Sequence, residues 1–224
     1  MKAGIGLILF DLDGTLVDSA PDLAFAVDAL LAGLNRPPAG IETVRRWIGN
    51  GVPMLVRRAL TGEMRPQRDP EGFEPALSAF DALYSENLCR RSTLYAGVQE
   101  GLTELRAEGY RTACLTNKHS RYTVPLLKGL GIYDAFDDVG CGDRFARRKP
   151  DPEPLLRTAE RFGLSPGRCL MVGDSETDVQ AARAAGMPVL AAGYGYLGDG
   201  PDPARWGADA VVASPAEIAR WAGL

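Results

Sequence analysis

The sequence has 224 residues, 46% of them hydrophobic, which suits one domain or one domain carrying an insertion. With 25 Lys and Arg against 29 Asp and Glu the formal net charge is −4, so there is no general positive field for nucleic acid or a membrane surface, and neither is expected as a partner. A single histidine, His119, excludes a multi-histidine zinc site, and the four cysteines form no C-x-x-C pair; they read as free thiols of a reducing, cytoplasmic compartment.

The chain opens on an apolar run, Ile5 to Phe10, that stops at Asp11-Leu12-Asp13-Gly14-Thr15. A run without alternation predicts a strand buried on both faces, as in a parallel sheet. It is too short for a secretory signal, and no stretch approaches eighteen uninterrupted apolar residues. From Ala20 to about Arg91 the pattern is helical: a helix opened by Pro21 with an apolar stripe at Leu23, Val27, Leu30, Leu31 and Leu34, then Ile41 to Ile48, Val52 to Leu60 and Phe73 to Leu88. That is far longer than a crossover needs, so it predicts an inserted helical cap. Three further strand-like runs follow, Arg111 to Leu115, Cys169 to Val172 and Pro188 to Ala192, with a last one at Ala210 to Val212. Helical patterns at Glu100 to Glu108, Tyr122 to Leu130, Glu153 to Phe162 and Glu176 to Ala185 precede or separate them, each followed by a glycine. The expected fold class is α/β, a doubly wound parallel sheet with a Rossmann-like core at 1–19 and 92–224 and a helical cap at 20–91.

Ligands of such sheets bind at the carboxyl ends of the strands. Those ends carry Asp11 and Asp13, Thr116, and Asp174, with Asp178 one helical turn further on. Asp11 and Asp13 lie two residues apart and need a cation or a shared proton. With Asp174 they suit a hard divalent ion such as Mg²⁺, although D-x-D-G alone also suits a turn. Thr116 is placed for a phosphate oxygen or for a helix cap. Lys149, in Arg147-Arg148-Lys149-Pro150-Asp151-Pro152, is either a counter-charge or part of a solvated basic loop. Ser175-x-x-Asp178 is also a capping-box pattern, which by itself would explain Asp178 and leaves Asp174 the better ligand. His119 is expected on the surface near the site and not as a catalyst. Gly49-Asn50-Gly51 precedes a helix whose first turn holds Pro53. It reads either as an anion site, with Arg45 or Arg46 one turn upstream, or as a tight turn with Asn50 as the helix cap.

Asp11 to Thr15 (DLDGT), Thr116-Asn117, Lys149 and Gly173 to Asp178 (GDSETD) together resemble, in order, the four motifs of the haloacid dehalogenase-like hydrolase superfamily. Leu16-Val17-Asp18-Ser19, Trp47 to Gly51, Thr116-Asn117-Lys118, Pro125-Leu126-Leu127, Arg148 to Pro152 and Tyr194-Gly195-Tyr196 resemble its bacterial phosphoglycolate phosphatase branch. The resemblance implies Asp11 as nucleophile and Asp13 as general acid and base. It implies Asp11, the main-chain carbonyl of Asp13 and Asp174 as ligands of Mg²⁺. Thr116, Asn117 and Lys149 are the substrate contacts expected in the core, and Asn50 and Gly51 those expected in the cap. The dehalogenase branch resembles D-x-Y, whereas Asp13 supplies a leaving-group acid. The partner implied is a small phosphorylated metabolite, 2-phosphoglycolate first. A sugar phosphate, a phosphomutase of the β-phosphoglucomutase kind and a non-catalytic Mg²⁺ or anion module remain as alternatives.

Overall fold

Among the residues described in this computed structural model, 4–197 and 202–222, the strands run in chain order as β1 (Leu7–Phe10), β2 (Val17–Asp18), β3 (Thr93–Leu94), β4 (Arg111–Leu115), β5 (Asp138–Gly140), β6 (Cys169–Gly173), β7 (Val189–Ala192) and β8 (Ala210–Val212). Six form one sheet, β5-β4-β1-β6-β7-β8, with every pair parallel. All side chains of β1 are buried, as its unbroken apolar run requires of the central strand in a sheet covered on both sides.

The helices are α1 (Ala20–Gly33), α2 (Ile41–Trp47), α3 (Val52–Thr61), α4 (Phe73–Asn87), α5 (Val98–Ala107), α6 (Ser120–Gly129), α7 (Glu153–Arg161), α8 (Glu176–Ala185) and α9 (Pro215–Ala222). Ile8, Phe10, Leu170 and Val172 pack on one side of the sheet against Leu102 and Leu105 of α5 and Leu126 of α6. Leu7, Leu9 and Met171 pack on the other against Leu155 of α7 and Val179 and Ala182 of α8. This is the doubly wound α/β architecture that alternating strand and helix patterns lead to. Burying each such side chain contributes roughly 1.5–3 kcal/mol.

Helices α1 to α4 enclose an apolar cluster of their own, including Leu23, Val27, Trp47, Val56, Phe80 and Tyr84. Tyr122 of α6 enters that cluster from the sheet side, and its hydroxyl donates to Asp81 of α4. Leu34, expected in the α1 stripe, is 45% exposed, because the helix ends at Gly33 and the chain turns away.

Two short pieces depart from the expected elements. β5 lies at the edge of the sheet and is held there by pairing with β4. β2 and β3 pair antiparallel, Asp18 opposite Thr93, so the chain enters and leaves the helical segment side by side. The carboxylate of Asp22, fully buried at the start of α1, accepts from the main-chain N–H of Arg91 and Ser92 and from the Ser92 hydroxyl (2.6 Å). The first turn of the segment is thereby fastened to its last residues.

Candidate active site

The parallel register sets Phe10 beside Cys114 on one side and Val172 on the other. The residues that follow these strands, Asp11, Thr116 and Asp174, therefore emerge at one edge of the sheet, with Asp11 in the middle. The Asp11 N–H continues the ladder by donating to the Val172 carbonyl at 2.9 Å. Each of Asp11, Asp174 and Asp178 offers a carboxylate oxygen within 4.8 Å of the others. Gly14 makes this packing possible: its φ is +87°, and a Cβ there would lie 2.0 Å from Asp174 Oδ2.

Three such carboxylates, Asp174 and Asp178 buried and Asp11 half-buried, need positive charge. Lys149 supplies part of it: Nζ lies 2.9 Å from Asp11 Oδ1, 2.6 Å from Asp178 Oδ1 and 2.7 Å from the Leu115 carbonyl. Burial by itself would lower the Lys149 pKa, but Asp11 and Asp178 outweigh it and hold the ammonium firmly protonated. One ammonium does not balance the cluster. Burial, only partly opposed by Lys149, pushes the Asp11 carboxyl up to about 6, and burial together with Asp11 and Asp178 raises Asp174 well above the usual carboxylate range. An all-oxygen, over-charged, strand-end set of this kind fits a hard divalent cation.

Asp174 is oriented by the Thr15 hydroxyl at 2.9 Å and the Tyr196 N–H at 2.7 Å. Tyr196 also reaches the point where the chain enters the helical segment. Its hydroxyl donates to Asp18 at 2.7 Å and accepts from the Ala20 N–H at 2.9 Å. Asp178 makes both of the contacts open to it: a full capping box with Ser175 at the start of α8, and the ion pair to Lys149.

The Asp13 side chain turns away from the carboxylate trio. It accepts from the Ser19 hydroxyl at 2.5 Å and from Lys118 Nζ at 3.0 and 3.1 Å. Asp11, Asp13, Thr116, Lys118 and Lys149 line one cavity with Leu23, Ile48, Val52 and Leu55 of the helical segment. Its volume of about 30 Å³ is room for roughly two waters. Residues of the helical segment thus face the strand ends across this cavity.

A family model described as haloacid dehalogenase-like hydrolase matches residues 5–186, which includes every strand end of the site. The chain belongs to this family of hydrolases. Among similar haloacid dehalogenase-like hydrolases is the phosphoglycolate phosphatase of Thiobacillus denitrificans, 47% identical over 96% of this chain and 94% of the relative. The phosphoglycolate phosphatase of Nitrosococcus oceani is 46% identical over 95% and 94%. A crystal structure of a predicted phosphoglycolate phosphatase from Haemophilus somnus superimposes with a TM-score of 0.89 at 37% identity, covering 97% of this chain and 98% of that one.

Within this haloacid dehalogenase-like hydrolase, several sequence expectations find different places. Asn50 is exposed and absent from the cavity lining, to which Gly49 and Gly51 contribute. Its Oδ1 accepts from Arg58 at 2.8 Å, and Arg58 also donates to the Trp47 carbonyl. Asn50 is not the cap of α3 either: that position is Gly51. Asn50 therefore braces a loop, because the buried guanidinium of Arg58 draws its side chain out of the cavity. Asn117 lines the cavity, but both ends of its amide are committed to the Lys149 main chain, donating to the carbonyl and accepting from the N–H, each at 3.0 Å. It sets where Lys149 stands. Arg45 pairs with Asp18 at 3.1 Å, and it and Arg46 line a separate cavity with Tyr95, Tyr194 and Tyr196. His119 caps α6 by accepting from the Arg121 N–H. Ser19, Lys118 and Tyr196 each sit in a motif of the sequence, but only their contacts in the fold reveal what they do.

Proposed function

We propose that this hydrolase is a phosphatase that cleaves 2-phosphoglycolate to glycolate and phosphate through an aspartyl phosphate on Asp11. The observation that carries this reading is the Asp11 carboxylate at the end of the central strand, held by Lys149 beside two further carboxylates and facing a cavity shared with the helical segment. The names of the relatives at 47% and 46% identity support the substrate.

In the first step an Asp11 oxygen attacks phosphorus, the bond to the ester oxygen breaks, and Asp13 gives that oxygen its proton. In the second, water attacks phosphorus, Asp13 takes a proton from it, and the bond to Asp11 breaks to release phosphate. Thr116 and Lys149 hold the phosphoryl oxygens as charge moves onto them. Asp11, the Asp13 carbonyl and Asp174 would hold Mg²⁺, with Asp178 alongside; bound there, the ion neutralises phosphoryl charge. Segment 20–91 acts as the cap that excludes water, and a cytoplasmic location suits the free thiols.

Phosphate release from 2-phosphoglycolate, ethyl phosphate and a sugar phosphate, with Mg²⁺ and in chelator, tests the reading. The expected result is the highest kcat/KM for 2-phosphoglycolate and none in chelator. Release from no ester, or an isomerised sugar phosphate as product, would overturn it.

Asn50→Ala should lower kcat/KM for 2-phosphoglycolate and for ethyl phosphate by the same factor, and stability by about 1 kcal/mol, one lost hydrogen bond. A loss confined to 2-phosphoglycolate, with an unchanged Tm, would return Asn50 to the substrate.

A further inference from the structure

Two ammonium groups line the cavity, Lys149 and Lys118. Lys149 stands on the nucleophile side, against Asp11, Asp178 and the Leu115 carbonyl. Lys118 is equally buried, its side chain 4% exposed, and it stands over the ring of Tyr84 from α4 at 5.0 Å to the centroid. Its Nζ touches Asp13 and lies on the leaving-group side of the site. The long stem therefore crosses from a core loop to the underside of the helical segment, where the core phosphate machinery has no need of a charge.

We infer that Lys118 is the specificity-determining residue of this phosphatase, receiving the carboxylate of the substrate. The inference rests on the reading of the substrate as 2-phosphoglycolate. In P–O–CH₂–COO⁻ the carboxylate carbon is two bonds from the ester oxygen. Asp13 must reach that oxygen to protonate it, so a cation 3.0 Å from Asp13 Oδ1 lies where the carboxylate arrives. A carboxylate buried there without a partner would be strongly disfavoured. The lining residues of the cavity include no arginine: Arg45 and Arg46 line the separate cavity, and Arg58 is directed to Trp47, Asn50 and Met64. The aromatic face of Tyr84 keeps the ammonium desolvated and directional. Leu23, Ile48, Val52 and Leu55 give the cavity apolar walls, and Lys118 is the cation of its lining that stands beside Asp13.

The test compares kcat/KM for 2-phosphoglycolate and for ethyl phosphate, which keeps the alkyl phosphate and lacks the carboxylate, in wild type, Lys118→Met and Lys118→Arg. Lys118→Met is expected to cut the ratio of the two about 100-fold, mainly through KM for 2-phosphoglycolate, as for one lost buried charge pair. Lys118→Arg should restore most of the ratio even if both rates are reduced. If Lys118→Met does not fold, Lys118→Gln, with a polar head for Asp13 and no charge, takes its place with the same expectation. A wild-type preference for 2-phosphoglycolate that survives in the uncharged variant overturns the inference alone. No preference in the wild type overturns the substrate reading, and the inference with it.

Discussion

Asp11→Asn is expected to lose phosphate release by about four orders of magnitude or more, because an amide cannot form the acyl phosphate and nothing else at the sheet edge stands in its place. The same substitution should stabilise the metal-free protein. In the folded wild type the Asp11 carboxyl sits near 6, raised mainly by burial, against 3.8 for its ordinary value. The folded state therefore holds a proton that the unfolded chain gives up between those two values. Its charge destabilises the fold above about pH 6, and this cost disappears as pH falls below about 4. Asparagine removes it at every pH. At pH 7 in chelator we expect a gain on the order of 2 kcal/mol, a Tm increase of roughly 4–8 °C, shrinking toward zero at pH 4. Thermal melts across that range check the sign. Turnover near the wild-type rate would end the covalent mechanism, and a Tm lower than wild type at pH 7 would end the account of the charge cluster.

Lys149→Met should damage both activity and stability. The ammonium meets Asp11, Asp178 and the Leu115 carbonyl in a site where its side chain is 2% exposed and that of Asp178 is 1% exposed. Methionine has similar length but leaves two carboxylates facing each other and a carbonyl without its donor. Breaking a buried pair from one side costs about 3–5 kcal/mol, a fall in Tm of roughly 6–20 °C for a chain of this size. Activity should drop by about 10²–10³, the usual effect of removing one charge-stabilising group from a transition state. Added Mg²⁺ should recover part of the Tm and little of the rate. A change in Tm below 2 °C in chelator would show that Lys149 is not the counter-charge its distances indicate.

Much of this was written locally in the chain. The run before Asp11 announces a central parallel strand because every residue is apolar, and α8 runs from Glu176 to Ala185 because a capping box starts it and Gly186 ends it. The strand-end rule then selects Asp11, Thr116 and Asp174 without any contact being known. What local patterns leave out is set by partners distant in sequence. β5 is three residues with no apolar run, and it is a strand because Val139 pairs with Cys114. Asp178 looks like a helix cap until Lys149 arrives from another loop, and Lys118 looks like any loop lysine until Asp13, 105 positions earlier, meets it. Asn50 shows the converse. Its neighbours fit an anion loop, but the side chain follows the strongest nearby donor, Arg58, which no spacing rule points to.

The antiparallel pairing of Asp18 with Thr93 has a consequence for how this protein could have been assembled. Paired strands bring their Cα atoms to within about 5 Å. To the parallel sheet, everything between those residues is a hairpin loop that happens to contain four helices. Its length does not disturb the register of β1 with β4 and β6, because the ends it must join never separate. Lengthening such a loop carries only a small, logarithmic entropy cost. The buried carboxylate of Asp22 locks the two ends together from inside the insert, so the fastening travels with the inserted piece. A module that brings its own clasp can be lost, exchanged or remodelled while the chemistry at the strand ends stays where it is.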